Sequence, residues 1–359
     1  MKSTFLMAGG GTGGHIVPAI AVAQELRRRG HKVIFSGTKK GLESRLVPAA
    51  GFSIEWIEIG GLKGLGLGAL PRLAVNLPRA VLISLRVLRR EKVAAVFSMG
   101  GFVAGPVVLA AAAIGVPLVV MEPNAMPGLT NRRMAKLAYR ALLMFEEAGQ
   151  FFKPGRWEVS GLPVREAFLR IKSRRPGKPL TVLVTGGSRG SRTLNNAAKE
   201  CWKLAREAGM RVRWIHQSGV DTFKEMSEAF AAEKADGCLE AFFDDMVKVF
   251  DEADLIICRS GASTVSELAA AGKASILVPY PFAADNHQLK NAEAMVRQGA
   301  AVLVLDKEMT GARMLQEIRA LSADSRVIEA MAAAARKMAK PEALTKAVTV
   351  LEQAAKATG

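Results

Sequence analysis

The sequence predicts an α/β protein of two Rossmann-like domains facing each other, and three observations lead there. Two glycine-rich turns, Gly9-Gly10-Gly11-Thr12-Gly13-Gly14-His15 and Gly186-Gly187-Ser188-Arg189-Gly190-Ser191, each follow an apolar strand-like run and open a helix-like run. Glycines turn tightly and let a ligand approach the backbone, while the helix behind offers free N–H groups and its positive dipole end to an anion. The turns lie about half a chain apart, which fits one phosphate cradle per domain better than a single dinucleotide fold. The 359 residues, 50% of them hydrophobic, suffice for two cores of ordinary size.

The elements follow in order. Thr4–Met7 reads as a strand, Ile16–Arg29 as the helix behind the first turn and Lys32–Ser36 as a second strand. The stretch from Val93 to Met121 carries no charge and has the length of a membrane span. Gly100-Gly101, Gly105-Pro106 and Gly115-Val116-Pro117 nevertheless divide it into strand Ala94–Ser98, helix Val107–Ile114 and strand Leu118–Met121, the pattern of buried parallel strands with a crossover helix. Residues 163–179, with Pro163, the basic run Lys172-Ser173-Arg174-Arg175 and Pro176-Gly177-Lys178-Pro179, read as an interdomain crossing and an exposed loop. Strand Leu180–Thr185 then restarts the pattern, with a helix from about Thr193 and strands Arg211–His216, Leu255–Cys258, Ser275–Val278 and Val302–Leu305; Val265–Ala271 is a helix. Helical residues after Pro341 have no strand to follow, so the tail is expected on the first domain. The expected division is 1–163 with a tail at about 340–359, and 164–339.

Composition bounds the partners. Lys and Arg number 50 against 33 Asp and Glu, a net charge of +17 that calls for nucleic acid, an anionic membrane surface or a highly phosphorylated ligand. Aromatic content is low and neither an RNP-like nor a zinc-finger pattern occurs, so no nucleic acid is expected and the membrane surface leads. Cys201, Cys238 and Cys258 lack C-x-x-C spacing, which suggests neither disulfide framework nor zinc site and a reducing cytoplasm. Met1-Lys2-Ser3-Thr4-Phe5-Leu6-Met7 runs straight into the first turn, leaving no room for a signal peptide, so export is not expected.

Thr12-Gly13-Gly14-His15 stands at the carboxyl edge of the first sheet, where ligands bind in open α/β folds, and its backbone donors suit a phosphate or diphosphate. No acidic residue closes Lys32–Ser36 to hold an adenine ribose, which argues against nicotinamide and flavin dinucleotides. His15 is either a helix-start residue bonded locally or the best general-base candidate in the chain. Arg259-Ser260-Gly261-Ala262-Ser263-Thr264-Val265-Ser266-Glu267 has two readings as well. Its helix start receives a negative group with Glu267 on ribose hydroxyls, or Ser263 or Thr264 caps the helix and Glu267 balances the dipole. In the loop from Pro279 to Ala292, Asp285 and Gln288 address sugar hydroxyls, or Asp285 is an N-cap and the rest are solvated. Asp244-Asp245 reads as capping, because a metal would need further ligands. After the glycine-rich segment Gly60–Gly68, Leu70, Leu73, Leu77 and Val81 step at helical spacing beside Arg72, Arg79 and Arg86, with Arg89 and Arg90 nearby. This is a surface helix dipping into an anionic leaflet, or core.

Together these residues resemble those of the bacterial peptidoglycan N-acetylglucosaminyltransferases, the MurG family, which act on undecaprenyl-pyrophosphoryl-N-acetylmuramoyl-pentapeptide. The resemblance covers essentially the whole chain. It is most specific in G-G-T-G-G-H at 10–15, S-M-G-G-F-V at 98–103, G-L-P-V-R at 161–165, G-G-S-R-G at 186–190, C-R-S-G-A-S-T-V-S-E at 258–267 and D-N-H-Q-L-K-N-A at 285–292. It implies the GT-B fold, two Rossmann-like domains with the active site in the cleft, no cofactor, and a peripheral place on the cytoplasmic face of the cell membrane. The C-terminal domain is implied to bind UDP-N-acetylglucosamine and the N-terminal domain the lipid-linked acceptor. Carried over by position, the backbone of Phe243 reads uracil and Glu267 holds the ribose. Ser188 and the helix start at Ala262, Ser263, Thr264, Val265 and Ser266 receive the diphosphate, while Arg165, Asn124 and Gln288 address the donor phosphate or sugar. Thr12, Gly13 and Gly14 face the acceptor pyrophosphate. The sequence departs from the family at Met121-Glu122-Pro123-Asn124, where His-Glu-Gln-Asn is frequent, and at Arg189, where Gln is usual.

The implied reaction is an inverting transfer in which the muramoyl 4-hydroxyl attacks the anomeric carbon from the face opposite UDP. His15 takes the hydroxyl proton, with Glu122 in reserve. The helix start near Ala262 and Arg165 stabilise the departing UDP in place of a metal. Two other readings stay open. A glycolipid synthase would use diacylglycerol, which has no pyrophosphate for the first turn. Against a catalytically silent UDP-sugar-binding subunit count the intact His15, Glu267 and Gln288.

Overall fold

A computed structural model describes residues 2–10, 13–39, 41–57 and 70–357. The chain divides into two compact units, Met1–Val164 with Lys340–Gly359, and Arg165–Ala339. Thr12 and the segment Gly60–Gly68 lie outside the described residues.

In the first unit, strands β1 (Thr4–Gly9), β2 (Lys32–Gly37), β3 (Ser53–Trp56), β4 (Val93–Gly100), β5 (Leu118–Glu122), β6 (Arg140–Leu143) and β7 (Trp157–Val159) form one parallel sheet of order β3-β2-β1-β4-β5-β6-β7. Helices α1 (Gly13–Arg28), α2 (Glu43–Ala49), α3 (Leu70–Arg90), α4 (Ala104–Ala113) and α5 (Leu129–Met134) connect them. With both faces covered, a parallel strand is apolar throughout rather than at alternate positions. Phe5, Leu6, Met7 and Ala8 of β1 are all buried for that reason. The charge-free stretch is β4, α4 and β5, as its glycines and prolines indicate, and among the described residues no helix is long and apolar enough to cross a membrane.

The second unit repeats the plan. After the short α6 (Glu166–Leu169), strands β8 (Leu180–Thr185), β9 (Val212–Gln217), β10 (Gly237–Glu240), β11 (Leu255–Cys258), β12 (Ala274–Leu277) and β13 (Ala301–Leu303) make a parallel sheet of order β10-β9-β8-β11-β12-β13. Its helices are α7 (Arg192–Glu207), α8 (Phe223–Ala232), α9 (Met246–Glu252), α10 (Ala262–Ala271), α11 (His287–Arg297), α12 (Gly311–Ser322) and α13 (Ser325–Met338). Trp202 of α7 is 2% exposed and meets Phe230 and His216 edge-on, which ties two helices and β9 into one core. The guanidinium of Arg336 on α13 donates to the carbonyls of Ala270 and Ala271, the last turn of α10, and to those of Leu169 and Ile171. A cation at that end suits the helix dipole and satisfies carbonyls that have no partner within the helix.

The closing helix α14 (Ala343–Lys356) belongs to the first unit and packs on α1, β4 and β5. Its Glu352 pairs with Arg29 at 3.0 Å and His31 at 3.2 Å. Helix α3 places Ala80, Ser84, Val87 and Leu88 in the core and leaves Arg79, Leu82, Arg86, Arg89 and Arg90 exposed. Val81, expected on an exposed apolar stripe, is half-buried against that core, so the outward face is more basic and less apolar than the spacing suggests.

Candidate active site

Each sheet reverses its winding once, between β1 and β4 and between β8 and β11. At such switch points the loops diverge to opposite faces and open a crevice at the carboxyl edge. The residues singled out in the sequence gather at these two edges.

In the first unit, β1 ends at Gly9 and α1 opens at Gly13 and Gly14; His15 stands in its first turn, half-buried. Gly9 and Gly10 are packed tightly from below. A Cβ on Gly9 would stand 2.8 Å from that of Met99, and one on Gly10 would lie 2.6 Å from Cδ of Glu43. Glu43 was not read from the sequence as part of any site. It opens α2, is 1% exposed, and accepts from N and Oγ1 of Thr38 at 3.0 and 2.8 Å. Its signal was available as glycines at 10, 37 and 41, each of which a side chain would drive into this one glutamate.

The neighbouring strand ends complete this edge. Gly100 and Gly101, after β4, have φ of 81° and 79°, a left-handed backbone that only glycine adopts readily. Thr130 Oγ1 donates to the Gly101 carbonyl at 2.9 Å. Glu122 ends β5, 1% exposed, with four donors on its carboxylate: N and Nδ2 of Asn124 at 2.9 and 3.2 Å on one oxygen, and Gly128 N at 3.2 Å with Asn131 Nδ2 at 2.9 Å on the other. Burial outweighs these bonds and pushes its pKa up to about 7. A carboxylate so enclosed fixes the chain at Asn124.

In the second unit, Ser188 is exposed at the tip of the turn after β8. Gly190, at φ 73°, lies so close to the Ser218 carbonyl that a Cβ would stand 2.0 Å from its oxygen. Ser191 caps α7 by accepting from Leu194 N and also accepts from Arg259 Nη2 at 2.8 Å. Arg259 Nη1 donates to the carbonyls of Val278 and Pro279 and to Asp306.

Helix α10 corrects the capping alternative. Its N-cap is Gly261, without a side-chain bond, and Ser263 and Thr264 lie inside the first turn. Ser263 Oγ is buried with no hydrogen-bond partner among the described residues, at a helix end that favours negative charge. Ser266 Oγ instead turns back to the Ala262 carbonyl at 2.8 Å. Glu267, farther along and half-buried, has its pKa raised to about 7 by desolvation against the opposing pull of Arg165. Arg165 itself is exposed, with its guanidinium 4.8 Å from the centre of the Phe168 ring.

After β12, Gln288 Oε1 accepts from Tyr280 N at 2.9 Å, and its carbonyl accepts from Ser260 Oγ at 2.8 Å. Asp285 is not the N-cap of α11. That position is held by Asn286, which makes no side-chain cap bond, and both residues are left-handed at φ 52° and 53°. Asp245 does cap α9, accepting from Lys248 N at 3.1 Å, as its sequence context indicates. Phe243, after β10, is half-buried and donates its N–H to Gln217 Oε1 at 2.9 Å. Gln217 is the second residue that the sequence reading missed; only its place after a strand pointed to it.

The structure therefore brings Gly14, His15, Glu122 and Asn124 to one edge of the first unit. It brings Ser188, Phe243, Ala262, Ser263, Thr264, Val265, Ser266, Glu267 and Gln288 to one edge of the second.

Comparison with known proteins bears on the family and the fold. A model of the glycosyltransferase family 28 N-terminal domain matches residues 5–143, and one of the family 28 C-terminal domain matches 181–347. A Solibacter usitatus protein named UDP-N-acetylglucosamine--N-acetylmuramyl-(pentapeptide) pyrophosphoryl-undecaprenol N-acetylglucosamine transferase is 52% identical over 99% of this chain and 97% of its own. Its namesake from Halorhodospira halophila is 42% identical over 98% of each. The crystal structure of Acinetobacter baumannii MurG superposes with a TM-score of 0.83 at 32% identity, over 98% of this chain and 99% of that one. A kitacinnamycin glycosyltransferase, 16% identical over 98% of this chain and 99% of its own, shares the fold at a TM-score of 0.74. With the two parallel sheets, these matches bear out the GT-B fold class.

Proposed function

The chain belongs to glycosyltransferase family 28, and from that premise we propose that it transfers N-acetylglucosamine from UDP-N-acetylglucosamine to the muramoyl 4-hydroxyl of undecaprenyl-pyrophosphoryl-N-acetylmuramoyl-pentapeptide, with inversion, in peptidoglycan synthesis. The observation that carries this reading is the 52% identity, over 99% of the chain, to a transferase named for that donor and acceptor.

The second unit, 165–339, takes the donor. The diphosphate lies against the start of α10, where the Ser263 hydroxyl lacks a partner, and against the turn at Ser188. Glu267 accepts from the ribose hydroxyls, Phe243 meets the uracil through its backbone, and Gln288 reaches the sugar with Asn124. Arg165 and the helix dipole stabilise charge on the departing UDP.

The first unit takes the acceptor, with its pyrophosphate at Thr12, Gly13 and Gly14. His15 removes the proton from the attacking hydroxyl. Glu122 holds Asn124, whose N and Nδ2 donate to its carboxylate, and stands in reserve as base. The exposed arginines of α3 bring this unit to the anionic cytoplasmic surface of the membrane that holds the acceptor.

The test offers purified enzyme radiolabelled UDP-sugars with either lipid-linked muramoyl-pentapeptide or diacylglycerol. Transfer of N-acetylglucosamine to the former alone is expected. Transfer to diacylglycerol, or no UDP release with either acceptor, would overturn the assignment.

A further inference from the structure

Gln217 joins two loops of the second unit that the proposed reaction uses for different parts of the donor. It closes β9 and is 1% exposed. Its Nε2 donates to the Gly187 carbonyl at 3.0 Å and to Thr185 Oγ1 at 3.3 Å, and its Oε1 accepts from Phe243 N at 2.9 Å. A primary amide has two donor hydrogens and an acceptor oxygen, and here one amide commits both kinds. One end grips the glycine turn that carries Ser188, and the other grips the loop after β10.

That loop has little packing of its own. Phe242 is 50% exposed, Asp244 and Asp245 are exposed, and Phe243 is only half-buried. A loop that reads a base through its backbone gains selectivity only if the backbone is held to within about 0.5 Å. The buried amide supplies that hold, because its bonds are not exchanged with water. With its N–H taken by Gln217, Phe243 offers its carbonyl. This acceptor matches the N3–H of uracil and not cytosine, whose N3 carries no hydrogen.

We propose that Gln217 is a positioning residue that sets the Phe243 loop in register with the Gly187-Ser188 turn, so that base selectivity and diphosphate binding are coupled through one side chain. The inference rests on the reading that these loops hold a uridine diphosphate.

The test compares the full-length wild type with Gln217→Met and Gln217→Glu, measuring UDP and CDP binding by calorimetry, steady-state kinetics with the lipid-linked acceptor, and melting temperature. Met keeps the length and removes every hydrogen bond. It is expected to weaken UDP binding about tenfold, erode the preference for UDP over CDP, and raise the donor KM while kcat stays within about twofold. Glu keeps an acceptor for Phe243 N but faces the Gly187 carbonyl with an oxygen. It is expected to lose affinity and keep the base preference. Unchanged binding in the Met variant, or an equal loss of UDP and CDP, would overturn the coupling. A wild type that binds no UDP would instead bring down the donor reading beneath it.

Discussion

The two carboxyl edges stand on the same parallel frame, yet different chemistry lies under each. Beneath the first are two buried carboxylates, Glu43 against the glycine turn and Glu122 at the end of β5. Beneath the second are a neutral amide, Gln217, and a guanidinium, Arg259, which crosses from the end of β11 to Ser191 and Asp306. At the second edge a neutral amide and a guanidinium paired with Asp306 stand under the proposed diphosphate, whereas at the first the proposed pyrophosphate has the start of α1 and its dipole to set against the buried carboxylates. Shared topology fixes where the ligands go, and the buried groups decide what each edge can do with them.

The sharpest way to break this contrast is to remove the base alone. His15→Ala should lower kcat by about 10²- to 10⁴-fold, the range for a general base, and leave UDP affinity unchanged, because the proposed donor site is on the other unit. Turnover within a few-fold of wild type would take the base role from His15.

The buried carboxylate gives the next largest effect. Folding raises the Glu122 pKa from 4.5 to about 7, so the native state holds its proton more tightly than the unfolded chain. The associated stability is complete below pH 4.5 and is lost as pH rises through 7. Between about pH 5 and 8 this amounts to about 2–3 kcal/mol. Glu122→Gln should flatten that part of the dependence of urea unfolding on pH. A wild-type slope retained in the variant would mean that Glu122 does not titrate in this way.

How far these groups were legible in the sequence depends on the range of the interaction that defines them. The strands β1, β4 and β5, with α4 between the last two, were readable because apolar runs and glycine punctuation are local signals. The same holds for the turn at 186–191 and for Gly9 and Gly10, whose backbone is approached closely. Glu43 and Gln217 were not, because the glycines around Glu43 and the strand before Gln217 do not by themselves say which side chain they serve. Gln217 matters through bonds to Gly187 and Phe243, 30 and 26 residues away. At α10 a local signal misled: Ser263 and Thr264 ahead of Glu267 resemble a capping sequence, but the chain enters the helix two residues earlier at Gly261. Ser263 Oγ, read as a cap, has no hydrogen-bond partner among the described residues.

The units should also differ at a membrane. Replacing Arg79 and Arg86 of α3 by Ala should weaken binding to anionic vesicles at low salt by about 2 kcal/mol, at about 1 kcal/mol per charge. The same change at Lys172 and Arg175, exposed on the second unit, should have little effect. Equal losses from both pairs in vesicle sedimentation would mean that net charge, and not the first unit's basic face, governs association.

The smallest effect expected probes the second edge itself. Glu267 has its pKa raised to about 7 by desolvation, with Arg165 restraining the shift. Its ionised form is the stronger acceptor for ribose hydroxyls, and that form predominates only above this pH. The donor KM should therefore rise as pH falls from 8 to 6, by less than about tenfold, while Glu267→Gln shows a raised KM with no such dependence. An effect on donor KM rather than on kcat separates this group from the proposed base, which acts in the chemical step. A fall in kcat at low pH with a constant donor KM would place the titration at the first edge alone and leave Glu267 without a part in ribose binding.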